Sequence, residues 1–442
     1  MPNPIAGNPL RSMNMFGNRR PFGRIDWLTV ILYAILVFVG WINIYSTTQS
    51  DDHNAILDFS TLYGKQLIFI VLAALGVLLV LFVESSFFER FASVFYIISI
   101  VLLLGLFVFG KTIAGATSWY DLGFFNLQPS ELAKVTTALA LAKYLSDIQT
   151  DIRNPKHQGY ALVIILLPAL LILPQPDPGS SLIYFSLFFV LFREGFPLYY
   201  LGILLCMVAL FATTLMFGTV WVSIAMITLT LLVYTFKKAS VKIPVLPVVG
   251  ILVASILFSL SVNLVFEHVF EQRHRDRFAL WLRLEKDQGK LEEIRKTIGY
   301  NTYQSEKAIE SGGFFGKGFL EGTRTKGNFV PEQHTDYIFS SLGEEWGFMG
   351  TAAVILLFTL FFLRLIHLAE RQKNDFSRMY GYGAISILVF HYFINIGMVI
   401  GLLPTIGVPL PYFSYGGSGL IFFSMLLFIF LKLDSNRLKD GI

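Results

Sequence analysis

The sequence has 442 residues, of which 55% are hydrophobic and only 14% charged, with a formal net charge of +4 and a mean hydropathy of +0.63. A water-soluble protein of this length cannot hide so much apolar surface in one core, so the composition excludes that class and points to a bilayer as the solvent. The single cysteine, Cys206, excludes an intrachain disulfide, and its apolar surroundings predict a small packing residue.

Apolar stretches near the roughly 20 residues that cross a bilayer recur along the whole chain. Twelve candidates occur, at 26–47, 66–83, 91–109, 131–147, 159–174, 180–193, 197–217, 219–236, 244–266, 346–366, 379–402 and 415–432. The fold class predicted is an all-α polytopic membrane protein with 10–12 transmembrane helices. The first apolar run is too long for a signal-peptide core, so we expect it to stay as an anchor.

The Lys and Arg residues between these stretches predict the orientation, because cytoplasmic connections collect them. With the N-terminus inside, the strongly basic connections all fall on the cytoplasmic side. Both termini are therefore predicted to be cytoplasmic, and 267–345 to be a large extracytoplasmic loop within a single membrane domain, 1–442. In that loop, 291–298 predicts a surface helix and 311–329 irregular glycine-rich chain. Nucleic-acid binding has no support, since the basic residues lie between spans or among acids.

Ionisable residues enter an apolar helix at 331–347, which reads PEQHTDYIFSSLGEEWG. An aspartate at the helix-centre level costs about 2.5–3.5 kcal/mol on insertion scales, so such groups usually face a polar cavity or a paired cation. Asp336 is therefore either a functional carboxylate or, with Thr335, a cap at the positive end of the helix dipole. The pattern leaves both interpretations open and favours a structural role for Glu344 and Glu345.

A second polar segment, 115–135, reads GATSWYDLGFFNLQPSELAKV and precedes the fourth span. Pro129, Ser130 and Glu131 predict a helix start, approached by a glycine-rich re-entrant turn. Lys134 lies one turn inside on the face of Glu131, and a buried lysine must find an anion. Trp119 fits either a site or the interfacial aromatic belt.

Two further segments break the membrane spans with proline and glycine, which is tolerated at membrane depth only where the backbone lines a cavity or is buried in protein. The first, 173–181, contains a lone acid, Asp177, in either a cavity or an ordinary outer turn. The second, 395–420, predicts a re-entrant loop. Its last part offers backbone N–H groups to an anion, at Ser414, Gly416, Gly417 and Ser418.

These residues resemble the SEDS family (shape, elongation, division and sporulation), and within it the RodA branch more than the FtsW branch. The resemblance covers most of the chain and is weakest between 190 and 265. The matching segments are Asp26-Trp27 with Asn43-Ile44-Tyr45, GATSW…LQPSELAK, QPDPGSS, SGGFFGKGFLEGT, PEQHTDYIFSSLGEEWGFMG and NIGMVIGLLPTIGVPLPYFSYGGSGL.

The resemblance implies a glycosyltransferase of the bacterial cytoplasmic (inner) membrane. It would polymerise lipid II into glycan strands during cell elongation, alongside a class B penicillin-binding protein transpeptidase. The essential aspartate of the family falls on Asp336, expected to act as general base in an inverting attack of a GlcNAc 4-hydroxyl on MurNAc C1 with loss of lipid pyrophosphate. Family positions that match here and are expected to bind substrate are Trp119, Gln128, Ser130, Glu131, Lys134 and Asp177, with Glu332 and His334 beside the base.

The leaving pyrophosphate needs cations or N–H donors. The candidates are Lys134, Arg277, Lys317, Lys326 and the glycine loop at 414–418, and a divalent cation is a further candidate for this role. Membrane lipids are expected around the tail of the substrate.

Three features depart from the family pattern. Thr117 and Ser118 replace a basic pair, Pro178 replaces an apolar residue, and twelve spans are counted where ten are typical, so 197–236 is either an inserted hairpin or over-interpreted. Two other functions compete with the transferase: a lipid-precursor flippase or transporter, and a non-catalytic scaffold of the cell-wall complex.

Overall fold

The structure is a computed structural model that describes residues 25–49, 58–113, 115–123, 125–238, 244–268, 270, 272–282, 284, 289, 299–327 and 329–437. The surface helix predicted at 291–298 and the arginine-containing N-terminal segment lie outside these residues.

Helices account for most of the described chain. Those of the first half are α1 Trp27–Thr48, α2 Leu62–Phe82, α3 Ser85–Phe109, α4 Pro129–Leu145, α5 Pro155–Ile172, α6 Pro178–Ile183, α7 Phe188–Arg193, α8 Tyr199–Phe217 and α9 Thr219–Lys238, with a 3-10 turn at Tyr184–Leu187. Those of the second half are α10 Val245–His268, α11 Gln272–Trp281, α12 Tyr300–Gly312, α13 Thr323–Lys326, α14 Ile338–Glu370, α15 Asp375–Val399 and α16 Gly417–Asn436.

All twelve predicted spans are helical. Among the described residues, ten helices are long and apolar enough to cross a membrane: α1, α2, α3, α5, α8, α9, α10, α14, α15 and α16. The other two predicted spans are α4, of 17 residues, and the broken segment Pro178–Arg193. Almost every residue of α4 is buried in protein, so its surface need not be apolar, which explains its Ser, Glu, Lys and Thr side chains.

For the region 197–236, the sequence left open whether two real helices are present. The structure has two helices of membrane-spanning length there, α8 and α9. Only 6% of each is buried, and their closest helical partner is α10. The prediction that Cys206 is a packing residue is wrong. Its side chain is exposed on α8, because this helix makes so few contacts with the rest of the bundle.

A small antiparallel sheet, where we expected a re-entrant turn, precedes α4. Its strands are β1 Lys111–Ile113, β2 Ala116–Asp121 and β3 Asn126–Leu127, in the order β1-β2-β3. The Tyr120 hydroxyl donates to the carbonyl of Leu102 at 2.8 Å and holds the sheet on α3. The period-2 pattern was too short to predict these strands.

Helix α14 is broken at Gly347, whose φ of +65° is in the left-handed region. A Cβ at this position would lie 2.2 Å from the backbone nitrogen of Gly316, so glycine is required both by conformation and by the close approach of the loop. The break divides α14 into a short helix beside Asp336 and a long membrane helix.

Ion pairs join three helices at the end of the bundle opposite Asp336. Asp26, the N-cap of α1, accepts two hydrogen bonds from Arg364 of α14. Arg371 pairs with Asp434 of α16, a fully buried carboxylate. Burial alone would raise the pKa of Asp26, but the hydrogen bonds from Arg364 and Thr29 outweigh it and lower that pKa to about 2. The Asp26 carboxylate is therefore ionised at neutral pH.

Candidate functional site

Asp336 lies in the turn before α14 and is half-buried. The N-cap of α14 is Tyr337, whose side chain makes no capping hydrogen bond, so the interpretation of Asp336 as the N-cap residue is wrong. The Asp336 carbonyl accepts a 2.8 Å hydrogen bond from the Asn395 side chain. A Cβ on Gly407, at φ +79°, would lie 3.2 Å from Asp336 Oδ2, so the re-entrant segment passes directly against the carboxylate.

The electrostatic surroundings of this carboxylate favour its protonated form more than water does. Burial is the main cause, and the negative charges of Glu332 and Asp177 add to it, while the positive charge of Arg277 acts in the opposite direction. Together they raise the pKa of Asp336 to about 7. A carboxyl group with its pKa near neutrality can exchange a proton at physiological pH, which is what general acid–base catalysis requires.

The residues just before Asp336 form a tight turn. Glu332 is exposed at φ +56°, and its carboxylate accepts a 2.8 Å hydrogen bond from the Thr335 hydroxyl. His334 is half-buried with its ring against the edge of Tyr415, at 5.6 Å between centroids. Burial lowers the pKa of His334, so this imidazole is neutral at pH 7. Neutral His334 thus presents hydrogen-bonding nitrogens without adding positive charge near Asp336.

Asp177 is the N-cap of α6, with Oδ1 accepting from the Ser180 backbone N–H at 3.0 Å. Its other oxygen accepts from the Gln128 side chain at 3.1 Å. The Gln128 backbone N–H in turn donates to Ser418 Oγ at 3.1 Å. Three segments that are far apart in sequence, around 128, 177 and 418, therefore meet at one place.

The re-entrant segment is bound to the Asp336 turn through main-chain atoms. The Ser414 hydroxyl donates to the carbonyl of Thr335 at 2.6 Å, and the Tyr415 N–H donates to that of His334 at 2.9 Å. Asn395 bridges the two segments, since its side-chain amide donates both to Asp336 and, at 2.7 Å, to the carbonyl of Val408. The register between Asp336 and the re-entrant segment is thus fixed.

The glycines that follow pack closely on α2. The N–H of Gly416 donates to the Gln66 side chain at 3.2 Å. A Cβ on Gly417 would lie 2.7 Å from the Phe69 ring. The Gly416 N–H, one of the predicted anion donors, is therefore occupied by a protein acceptor.

Lys134 is fully enclosed among the helices, and the predicted ion pair with Glu131 is confirmed, at 2.7 Å with side-chain exposures of 2% and 3%. Its ammonium also contacts Nε2 of His391 on α15 at 2.9 Å. The other His391 nitrogen lies 3.3 Å from the carbonyl of Pro409 in the re-entrant segment. Ser130, in the first turn of α4 as predicted, is buried with its hydroxyl 3.5 Å from that of Ser180.

Sequence reasoning missed His391 and Asn395, which connect both halves of the site. They lie four residues apart on one face of α15, in its largely apolar second half. Both are buried. Two polar residues at i and i+4 within a membrane span were the signal that could have identified them.

The predicted cations occupy different surroundings. Arg277, on α11, is near enough to Asp336 to affect its pKa. Lys317 donates to the buried Glu344 at 2.6 Å, whereas Lys326 is exposed at the end of α13. Within the described part of the chain, no group of three or more His, Cys, Asp or Glu residues is placed to hold a metal ion.

Trp119 lies on β2, half-buried and opposite Lys111 of β1. The strand is attached to the Asp177 segment, because the Thr117 N–H and the Ser118 hydroxyl donate to the Gln175 carbonyl at 3.2 and 3.4 Å. The two residues that replace the basic pair of the family therefore have a structural role here.

The fold and site define a class of protein: a multi-pass membrane protein in which the turn that carries Asp336 is bound to a re-entrant segment at one end of a helix bundle. The chain belongs to the FtsW/RodA/SpoVE family, described as cell cycle proteins, whose model matches residues 26–226 and 216–439.

Among similar curated proteins, the peptidoglycan glycosyltransferase MrdB of Escherichia coli K12 is 34% identical over 353 residues, 79% of each chain. The peptidoglycan glycosyltransferase RodA of Treponema pallidum is 33% identical over 422 residues, 89% of this chain and 94% of its own.

A solved structure of a peptidoglycan synthase complex that coordinates polymerization and crosslinking contains a chain that is 26% identical to this one, with a TM-score of 0.67. The match covers 93% of this chain and 98% of that one. The rod shape determining protein RodA of Thermus thermophilus has the same fold, with 24% identity, a TM-score of 0.59 and coverage of 94% and 98%.

Proposed function

We infer that this protein is a peptidoglycan glycosyltransferase, a lipid II polymerase, as its relatives' names and its family membership support. The observation that carries the catalytic assignment is the placement of Asp336. It is a half-buried carboxylate with its pKa raised to about 7, held against a re-entrant segment. Such a group suits proton transfer from a sugar alcohol near neutral pH.

In the proposed step, the ionised Asp336 carboxylate takes the proton of a GlcNAc 4-hydroxyl, and the oxygen of that hydroxyl attacks C1 of a MurNAc. The C1–O bond to the lipid pyrophosphate breaks, and the pyrophosphate leaves with the bonding electron pair. Attack on the face opposite the leaving group inverts C1. A positioned base typically contributes about 10²- to 10⁴-fold to such a reaction.

The departing pyrophosphate needs positive charge. Arg277 is the candidate favoured by location, since its charge already acts on Asp336. Lys134 contacts both Glu131 and His391. We therefore propose that the Lys134–Glu131 ion pair positions His391, which in turn contacts the Pro409 carbonyl of the re-entrant segment. A divalent cation beside the pyrophosphate remains part of the proposal.

We further propose that the chain works with a class B penicillin-binding protein in the bacterial inner membrane, with both termini cytoplasmic and Asp336 on the outer side. The similar chain in the peptidoglycan synthase complex supports the partner. The basic ends of the spans, such as Arg90, Lys143 and Arg378, support the orientation.

The test is polymerisation of lipid II by the purified chain reconstituted with its transpeptidase partner. Asp336→Asn keeps the shape of the side chain but removes the base, so we expect polymer formation to fall about 10²- to 10⁴-fold. The matched control is Glu310→Gln, which changes an exposed carboxylate that pairs only with Lys307 within the described chain. It is expected to leave the rate unchanged.

Other outcomes would favour the other functions. Unchanged polymerisation by Asp336→Asn in an intact complex would indicate a scaffold. Movement of lipid II across empty liposomes without polymer would indicate a flippase.

A further inference from the structure

An exposed aromatic cluster surrounds the break in α14, at the end of the bundle that holds Asp336. It comprises Phe314, Phe315, Phe319, Trp346 and Phe348, and we call it the aromatic collar. Phe315 is 81% exposed, Phe348 61% and Phe314 54%. Apolar groups so exposed and so close together mark an interaction surface rather than a feature of an ordinary water-facing loop.

The backbone of the loop at 313–318 is paired with the broken helix. The N–H groups of Lys317 and Gly318 donate to the carbonyls of Glu344 and Glu345, both at 3.0 Å. In return, the N–H groups of Phe348 and Met349 donate to the carbonyls of Gly313 and Phe314, at 3.0 and 3.1 Å. The break in α14 frees these groups, and the loop satisfies them.

This pairing allows the collar to face lipid. Backbone groups of a non-helical segment need water unless protein satisfies them, and at membrane depth they must be satisfied internally. The positive charge of Lys317 is also neutralised, because its ammonium pairs with the buried carboxylate of Glu344 at 2.6 Å. The loop can therefore place its aromatic rings in lipid without burying this charge or these backbone groups unpaired.

The collar is continuous with the lipid-facing side of the membrane helix. Met349, Leu356, Leu360 and Leu363 are all exposed and follow helical spacing along one stripe of α14. Phe314 stacks on Phe348 at 5.7 Å between centroids, which joins the loop to the top of this stripe. Tryptophan, here Trp346, is enriched at the membrane–water interface, and phenylalanine is typical of the side chains that interfacial segments bury in lipid.

We propose that the aromatic collar is a membrane-interface anchor, in which Phe314, Phe315 and Phe319 insert into the lipid leaflet at the Asp336 end. The partner is the lipid surface itself. The anchor fixes the height of the Asp336 turn through two contacts. Glu344 accepts from the backbone of Thr325 at 2.9 Å, and the Gln333 side chain donates to the Thr325 carbonyl at 3.0 Å. This consequence for Asp336 rests on the proposed function, but the insertion does not.

The test uses one cysteine at a time in a Cys206→Ser background, labelled with an environment-sensitive fluorophore. The full-length chain is reconstituted alone in vesicles that contain lipids brominated along the acyl chain. Phe315→Cys is the probe. Leu356→Cys, on the lipid-facing stripe and outside the collar, is the positive control, and Glu310→Cys, at a side chain 68% exposed and five residues from Phe315, is the negative control.

We expect the label at 315 to be quenched by brominated lipid several-fold more strongly than the label at 310, and about as strongly as the label at 356. Quenching at 315 no greater than at 310 overturns the proposal. A label at 315 that becomes shielded only when the transpeptidase partner is added also overturns it, because the collar would then be a protein interface. No activity is measured, so the result is independent of the role of Asp336.

Discussion

The charge on Asp336 depends on its acidic neighbours. Glu332 and Asp177 both raise its pKa, after burial, and neither forms a described hydrogen bond with it. A base must be deprotonated to act, so the rate of polymerisation is expected to rise with pH through about 7, the pKa of Asp336.

Removing one neighbouring charge should move this dependence. Glu332→Gln takes away a negative charge that disfavours ionisation, so the pKa of Asp336 falls and the acidic limb of the kcat–pH profile moves to lower pH. The measurement is the kcat–pH profile of the reconstituted enzyme. The control Glu310→Gln is expected to leave the acidic limb of that profile at the same pH. A profile of Glu332→Gln that coincides with the native one would contradict the assignment of the limb to Asp336.

The sequence predicted one of the two polar partners of the buried Lys134 but not the other. The i,i+3 spacing predicted the pair with Glu131. His391 comes from a helix more than 250 residues away in sequence, which no local pattern reports.

At the scale of elements, Glu344 anchors the loop to α14. Its buried carboxylate accepts from the Lys317 ammonium, from the backbone N–H groups of Arg324 and Thr325, and from the Thr325 hydroxyl, at 2.6 to 3.0 Å. A carboxylate can be buried when this many donors replace its water. The structural role that the sequence favoured for Glu344 is confirmed by these contacts.

Glu344→Gln should loosen this anchor. An amide N–H₂ would face donors where an oxygen accepted, and breaking a buried charged pair costs about 3–5 kcal/mol. We expect faster hydrogen exchange of residues 311–325, measured by mass spectrometry on the reconstituted chain. The control Glu310→Gln should leave that exchange unchanged, and equal protection in both variants would contradict the anchoring role.

At the scale of the whole molecule, the network of Asp26, Arg364, Arg371 and Asp434 joins the first, the third-last and the last long helices. A double-mutant cycle of Asp26→Asn and Arg364→Gln should give a coupling free energy of about 0.5–3 kcal/mol in unfolding. The pair of Lys111 and Asp121 is the control. Its side chains are 51% and 47% exposed, so solvent screens them and no measurable coupling is expected. Equal coupling in the two pairs would contradict a structural role for the network.

Composition and local pattern determined much of this protein. Apolar runs of membrane-spanning length predicted every long helix, and Pro129 with Glu131 predicted the start of α4, because these signals act over a few neighbouring residues. The motifs around Asp336 predicted the family for a similar reason, since each is a short contiguous string.

Only the tertiary structure decided which of these strings meet. The contact of Asp336 with Gly407, the bridge made by Asn395 and the loop paired with α14 at Gly347 all join residues distant in sequence. Such contacts depend on how the helices pack, and packing brings together side chains whose spacing along the chain contains no periodic signal. For the same reason, the sequence left Asp336 open between helix cap and functional carboxylate, and the geometry at Tyr337 excluded the cap.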